Sequence, residues 1–314
     1  MSSPDPSPIG VLVMAHGTPA SAAEIEPFYT RIRRGRPPSP EQLADLEARY
    51  ARIGGLSPLA RRTQAQVDGL AAQLEAAAPG RYRVAYGAKH TAPLLEDAAG
   101  ELADAGCRRV VGLVLTPHGS RLGAGEYLAR AADAVGAHPK RPAFHPIPHW
   151  YDAPGFAELI GRRVRNALDA LAPGAAARAV VVFTAHSVPQ RAADDRYAEE
   201  LAESAGAAAA VAGLGPAGWR VAWQSAGRTP EPWIGPALLD VVSDLAAEGA
   251  TAVVVCPIGF VSDHLEVLYD LDVEAAAAAQ RAGIAFARSS SLNDDPAFLS
   301  ILASVVQAAV RVGV

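Results

Sequence analysis

Short runs of β-branched and other apolar residues recur along the chain with helical periodicity between them: Val11 to Met14, Tyr82 to Tyr86, Val110 to Leu115, Val180 to Phe183, Trp219 to Trp223 and Thr251 to Cys256. An apolar run of this length that does not alternate is covered on both faces, as a strand is inside a parallel sheet flanked by helices. The pattern predicts an α/β protein. The local sequences also repeat in order. GVLVMAHGTP (10–19) matches AVVVFTAHSVP (179–189), YRVAYGAKHTAPLLEDA (82–98) matches WRVAWQSAGRTPEPWIGPALLDV (219–241), and VVGLVLTPHGSRLGAGEYL (110–128) matches TAVVVCPIGFVSDHLEVLY (251–269). Strands of α/β proteins resemble one another in general, but the shared A-H-[GS], R-V-A and P-x-G at equivalent places favour two similar halves. They are placed at 9–150 and 174–314, joined by the Ala/Pro/Gly-rich segment 171–179, and the apolar helix from Pro296 to Val310 can pack back on either half.

Length and composition agree. A chain of 314 residues exceeds the usual single domain, so two are expected. Half the residues are hydrophobic and 19% charged, as in globular proteins. The net charge of −5 excludes a broadly basic nucleic-acid surface. Cys107 and Cys256 stand alone, so neither a disulfide framework nor a four-cysteine iron–sulfur cluster is expected. Met1 to Pro8 lack the features of a secretion signal, and no run approaches the ~20 apolar residues of a membrane span. The expectation is a cytoplasmic, monomeric protein.

In open α/β sheets the ligand crevice lies outside the carboxyl ends of the strands. His16, His118 and His186 each fall just past a strand, with His90 and His264 in the loops after two others, so five of eight histidines are expected at that end. A cleft between the halves would then handle a metal or protons. In GFVSDHLEVLYDLD (259–272), Ser262 or Asp263 can cap a helix on which Glu266, Asp270 and Glu274 recur at four-residue spacing. That ladder of carboxylates suits a hydrated divalent cation, and its alignment calls for slight unwinding of the π-bulge kind; an ordinary acidic helix start has the same spacing. His186, in TAHSVP, can ligate iron or take a proton near neutral pH, though a lone histidine after a strand also serves structure. RIRRGR (31–36) gathers four arginines, suited to a substrate with several acid groups or equally to a solvated helix end. IGGLSPL (53–59) reads as a turn that can present Ser57 to the same acid groups.

Together, IRRGRPPSPEQLADLEARYARIGGLSPL, AYGAKHTAPLLEDA, FTAHSVP, WQSAGRTPEPWIGP and GFVSDHLEVLYDLD, in this order, resemble the ferrochelatase family, most of all the coproporphyrin ferrochelatases of Gram-positive bacteria. The resemblance runs from about residue 9 to the C-terminus. It implies two Rossmann-like, chelatase-type domains holding a porphyrin in the cleft between them, and a lyase that inserts Fe²⁺. It places the motif histidine on His186, its partner glutamate on Glu266, both at the metal, and an outer acidic ladder on Asp270 and Glu274. Porphyrin contacts fall on Arg33, Arg49, Tyr50, Ser57 and Tyr127, with Lys89 and Trp233 lining the cleft. Where the better-known coproporphyrin enzymes carry a tyrosine as axial ligand to the product iron, this chain has His16. The segment after Pro189 is also shorter than in those enzymes.

The expected reaction gives Fe-coproporphyrin III in haem biosynthesis, with iron as substrate, no permanently bound cofactor, and a transient contact with a downstream haem-pathway enzyme. The alternatives are a protoporphyrin IX ferrochelatase, a sirohydrochlorin-type chelatase, whose motif Ala15-His16-Gly17 is similar to, and a non-catalytic porphyrin carrier. A carrier needs neither a base nor a carboxylate ladder.

Overall fold

The computed structural model describes residues 7–192, 196–227 and 229–312. Most of the N-terminal stretch read above, three residues of the segment after Pro189, and Arg228 lie outside the described residues. The first half runs β1 (Ile9–Ala15), α1 (Ile25–Ile32), α2 (Pro40–Arg52), α3 (Leu59–Ala77), β2 (Tyr82–Ala88), α4 (Leu95–Asp104), β3 (Arg109–Val114), α5 (Ala124–Ala137) and β4 (Ala143–Ile147). Then follow α6 (Phe156–Asp169) and the short α7 (Pro173–Ala176). The second half runs β5 (Ala179–His186), α8 (Tyr197–Val211), β6 (Trp219–Gln224), α9 (Leu238–Ala247), β7 (Ala252–Cys256), a π-helix (Val267–Ala275), α10 (Ala276–Arg281), β8 (Ala285–Arg288) and α11 (Pro296–Val312).

Among the described residues the strands form two parallel four-stranded sheets, ordered β2-β1-β3-β4 and β6-β5-β7-β8. The two orders are the same, the structural counterpart of the sequence repeat. In each sheet the chain turns to one side of its first strand and then to the other. The gap opened there, between β1 and β3 and between β5 and β7, is where an open parallel sheet binds ligands. Both gaps face one cleft. All seven residues of β1 are buried, as a central strand covered on both faces requires.

One buried apolar cluster runs through both halves, joining Val11 and Val13 to Leu70, Phe156, Phe183 and Phe298. Separate clusters cover the outer faces, under α4 and α5 on the first sheet and under α9 and the π-helix on the second. Each fully buried Leu or Phe contributes about 1.5–3 kcal/mol. The helix α11 packs against α3, α6, β3 and β4, so it rests on the first half. It comes so close to α3 that a Cβ on Gly69 would stand 2.3 Å from Leu299 Cδ1. Among the described residues no helix is long and apolar enough to cross a membrane.

Candidate active site

The parallel register ends β5 at His186, beside Gln224 of β6, and leaves the imidazole at the mouth of the second gap. The loop after β7 folds against this strand end: Gly259 N–H donates to the Thr184 carbonyl at 3.0 Å. Only glycine allows that approach, since a Cβ at 259 would lie 2.5 Å from Ala185 Cβ and 2.8 Å from its Cα. The loop delivers Glu266, whose Oε1 is 3.6 Å from His186 Nε2 and whose Oε2 is 3.6 Å from His264 Nε2. These are ion-pair distances, longer than hydrogen bonds.

Both nitrogens of His186 face acceptors, Nδ1 the Ser187 carbonyl and Nε2 the Glu266 carboxylate. Burial works to lower the His186 pKa, but the Glu266 carboxylate overrides it and raises it to about 9. Glu266 shows the reverse: burial opposes its charge, and the His186 and His264 rings hold it well below the ordinary value. The resting pair is imidazolium and carboxylate. Their side chains remain 38% and 40% exposed, open to the cleft.

The expected cap is not used. His264 precedes the helix, its carbonyl accepting from Leu268 N–H, and the helix begins at Leu265. Asp263 is instead engaged by Ser291 Oγ at 2.8 Å, Asn293 Nδ2 at 2.8 Å and Arg288 Nη1 at 3.2 Å, while Ser262 Oγ is buried with no hydrogen-bond partner among the described residues. A capping side chain must be free to turn back on its own backbone, and these tertiary partners hold Asp263 elsewhere. Glu266 still lies in the first turn, where the helix dipole favours a carboxylate. From Val267 the winding is a nine-residue π-helix, longer than the single bulge that the spacing suggested. Asp270 is buried against Ser225 Oγ, and burial followed by the nearby Glu266 pushes its pKa up to about 6. Ser225 holds this position with φ of 60°, a strained conformation for a residue with a side chain. Glu274, half-buried, is near enough to raise Asp270 further but does not line the cleft.

The first half supplies the facing wall. His16, just past β1, is open to the cleft; desolvation by the surrounding wall lowers its pKa despite Glu266 and so favours the neutral ring. Its ring lies 4.7 Å from that of His90, and Phe28 meets both edge-on. Lys89 Nζ pairs with Glu126 at 2.9 Å and stands 4.8 Å from the Tyr127 ring centre. Tyr127 and Tyr50 are buried phenols, both pushed up by desolvation. A capping box between Ser39 and Gln42 starts α2, which carries Tyr50 and Arg49 to the rim. Arg33 ends α1 over the Tyr29 ring, and Ser57 accepts from Leu59 N–H at the start of α3. Trp233, from the second half, donates Nε1–H to Thr229 and lies 6.4 Å from the His186 ring.

His118 also lines the cleft, from a buried place in its wall. It is buried between the halves, Nε2 2.8 Å from Ser204 Oγ and its ring stacked on Tyr151. His264 stands at this end of the sheets as expected, beside Glu266; sequence reasoning gave no role to two further residues that support the site, Ser225, and Gln66 on α3, whose amide donates to the carbonyls of Val261 at 3.3 Å and Asn293 at 2.8 Å. Each acts through a neighbour distant in the chain, which local pattern does not reveal.

The cleft holds about 1330 Å³ and is lined by every site residue that the resemblance placed except Glu274, and by Arg31, Arg33 and Arg34 of the arginine cluster but not Arg36. Ordinary small-molecule pockets span about 300–1,000 Å³, so a macrocycle has room. Among the described residues no three His, Cys, Asp or Glu side chains form a ready metal cage. The arrangement offers a neutral imidazole on one wall, and a protonated imidazole with an ionised carboxylate on the other.

A sequence profile of the family described as Ferrochelatase matches residues 8–310. A protein of Herpetosiphon aurantiacus named Ferrochelatase is 41% identical over 298 residues, 94% of this chain and 97% of its own. One of Geobacillus kaustophilus, named Coproporphyrin III ferrochelatase, is 42% identical over 301 residues, 95% of this chain and 94% of its own. The solved structure of SirB from Bacillus subtilis with Fe³⁺ shares the fold, with a TM-score of 0.59 at 12% identity over 96% of this chain and 95% of that one. The chain belongs to the ferrochelatase family, lyases that insert ferrous iron into a porphyrin in haem biosynthesis.

Proposed function

We propose that the porphyrin is coproporphyrin III and that His186 and Glu266 handle the metal and the protons. The observation that carries the proposal is the meeting of these two side chains at 3.6 Å in a cleft of macrocycle size with arginines at its rim. Metallation exchanges two pyrrole protons for Fe²⁺. In this reading the ionised Glu266 accepts one pyrrole proton, and His186, having lost its own proton to solvent as the cation approaches, ligates Fe²⁺ through neutral Nε2 and, as the iron passes to the ring, takes the second pyrrole proton there. Asp270 and Glu274 receive the cation from solvent. Arg33, Arg49 and Ser57 hold propionates, with Tyr50, Tyr127, Lys89 and Trp233 against the ring, which fixes its orientation. Closure of the cleft bends the macrocycle to expose its nitrogens, the strain drawn from these remote contacts. His16 takes the axial position on the product iron from the facing wall; a neutral imidazole suits that role.

Iron enters as substrate and no resident cofactor takes part in this reading; the two cysteines are buried, one in each half. Free buried thiols fit a reducing compartment, so a cytoplasmic monomer that passes its product to a later haem-pathway enzyme is part of the proposal. Four propionates match the cationic rim better than two, and the Geobacillus relative carries the coproporphyrin name. The second reading, protoporphyrin IX, rests on the Herpetosiphon relative, whose name specifies no porphyrin. Anaerobic turnover with Fe²⁺ decides between them: a higher kcat/KM for coproporphyrin III is expected, and a higher value for protoporphyrin IX overturns the choice. His186→Ala is expected to abolish insertion while sparing porphyrin binding; a normally active variant refutes the assigned roles.

A further inference from the structure

The carboxylates of Glu266 and Asp270 project from a segment gripped by one guanidinium outside the cleft. Arg288, the last residue of the edge strand β8, makes a two-pronged contact with Asp272, Nε to Oδ1 at 2.7 Å and Nη2 to Oδ2 at 3.0 Å. Its remaining Nη1 reaches Asp263 Oδ1 at 3.2 Å. Asp263 precedes Glu266 by three residues and Asp272 follows Asp270 by two, so the fork brackets both acidic groups. Asp263 is fastened in turn: Asn293 Nδ2 donates to its Oδ2 at 2.8 Å while Asn293 Oδ1 accepts Asp263 N–H at 2.9 Å. The Arg288 and Asp263 side chains are 15% and 18% exposed, and Asp272 is 40% exposed.

We propose that Arg288 is a positioning residue for iron delivery, its guanidinium clamping Asp263 and Asp272 so that Glu266 and Asp270 face the cleft. A planar fork with both prongs occupied has one orientation, whereas a lysine at this place would offer a single point of charge. The π-winding between the clamped points is a rare form that elsewhere is mostly a single turn, here drawn out to nine residues, so an external brace has something to hold. Without it the segment keeps its apolar contacts under Val267 and Leu271 but loses the lock on its rotation. The proposal rests on the reading of Glu266 and Asp270 as the metal-handling face.

The test measures KM for Fe²⁺, kcat and the porphyrin Kd in Asp272→Asn, Arg288→Lys and Glu266→Gln. Partners behind metal-handling groups commonly alter metal affinity or activity by about 10–100-fold. Asp272→Asn keeps the side-chain volume at a partly exposed place and carries the test if the arginine variant does not fold. KM for Fe²⁺ is expected to rise about tenfold in Asp272→Asn and Arg288→Lys, with the porphyrin Kd within a factor of two. A loss of kcat at unchanged KM for Fe²⁺ signals only a smaller folded fraction and overturns the proposal, as do wild-type constants in both variants. An inactive Glu266→Gln beside an unaltered Asp272→Asn confines the failure to the brace; a fully active Glu266→Gln removes the metal-handling face itself, and the brace with it.

Discussion

Arg49 on α2 and Tyr269 on the π-helix meet across the cleft, the guanidinium carbon 5.0 Å from the ring centre. The same arginine is held from its own helix by Asp45 at 3.1 Å. The rim of one half is thereby joined to the segment that presents the acidic groups of the other. Cation–π contacts at exposed sites are worth about 0.5–1 kcal/mol. Tyr269→Leu is expected to weaken porphyrin binding about two- to fivefold by releasing Arg49, as measured by fluorescence titration. An unchanged Kd would mean that Asp45 alone orients the guanidinium.

The charge state of His186 sets a pH dependence. Its pKa is raised, against burial, by Glu266 to about 9, so the neutral ring needed for coordination grows as pH rises toward that value. In the free enzyme kcat/KM is expected to climb through an apparent pKa of about 9. Glu266→Gln removes the main stabiliser of the imidazolium, and a ring-proton NMR titration of that variant is expected to show the His186 pKa well below the wild-type value. For stability, a raised histidine pKa contributes fully below the unfolded value of 6.5, and that contribution is lost as pH passes about 9.

His118 has the opposite sign. Ser204 Oγ donates to the Leu201 carbonyl, so His118 Nε2 is the donor to Ser204, and its buried Nδ1 has no partner among the described residues. Protonating Nδ1 would bury an unpaired N–H, and desolvation drives the pKa down to about 3. Stability is therefore expected to fall as pH drops from 6.5 toward 3, by on the order of a few kcal/mol. His118→Gln, neutral throughout, should flatten this slope in urea unfolding at stepped pH; an unchanged slope would assign the acid sensitivity elsewhere.

Gly259→Ala tests the seam between β5 and the loop before the π-helix. The added Cβ would meet Ala185 backbone at 2.8 Å, which no side-chain rotation relieves. The expected cost is about 1–3 kcal/mol of stability and, because the His186 to Glu266 gap opens with the loop, at least about a tenfold loss of kcat. Wild-type kcat in the folded variant would show that the loop shifts without moving Glu266.

Six strands could be read from sequence because their apolar runs are long enough: the inner strands β1, β3, β5 and β7, where burial on both faces demands uninterrupted runs, and the edge strands β2 and β6. The other two edge strands could not: β4 is five residues with Pro146 in it, β8 is four residues ending on Arg288, and both are partly exposed. The acidic spacing at 266, 270 and 274 and the histidines past the strands were visible as types and intervals. The pairing of His186 with Glu266 came from family resemblance, since the two stand 80 positions apart. The cap was misjudged because Asp263 carries a capping side chain whose hydrogen bonds are claimed by Asn293, 30 residues on. Ser225, Gln66 and Arg288 stayed invisible for the same reason: their partners are set by tertiary structure.

The seat of α11 on the first half has a temporal consequence. Leu299, Leu302 and Val306 complete a core whose other members begin at Ile9, so nearly the whole chain must be synthesised before that core can close. Until then the faces of α3 and α6 that α11 covers stay open to water, and a nascent first half presents them to any hydrophobic neighbour. Loops closed over such separations are slow to form. The helix farthest along the chain is thus the one on which the earliest-made half waits to become native.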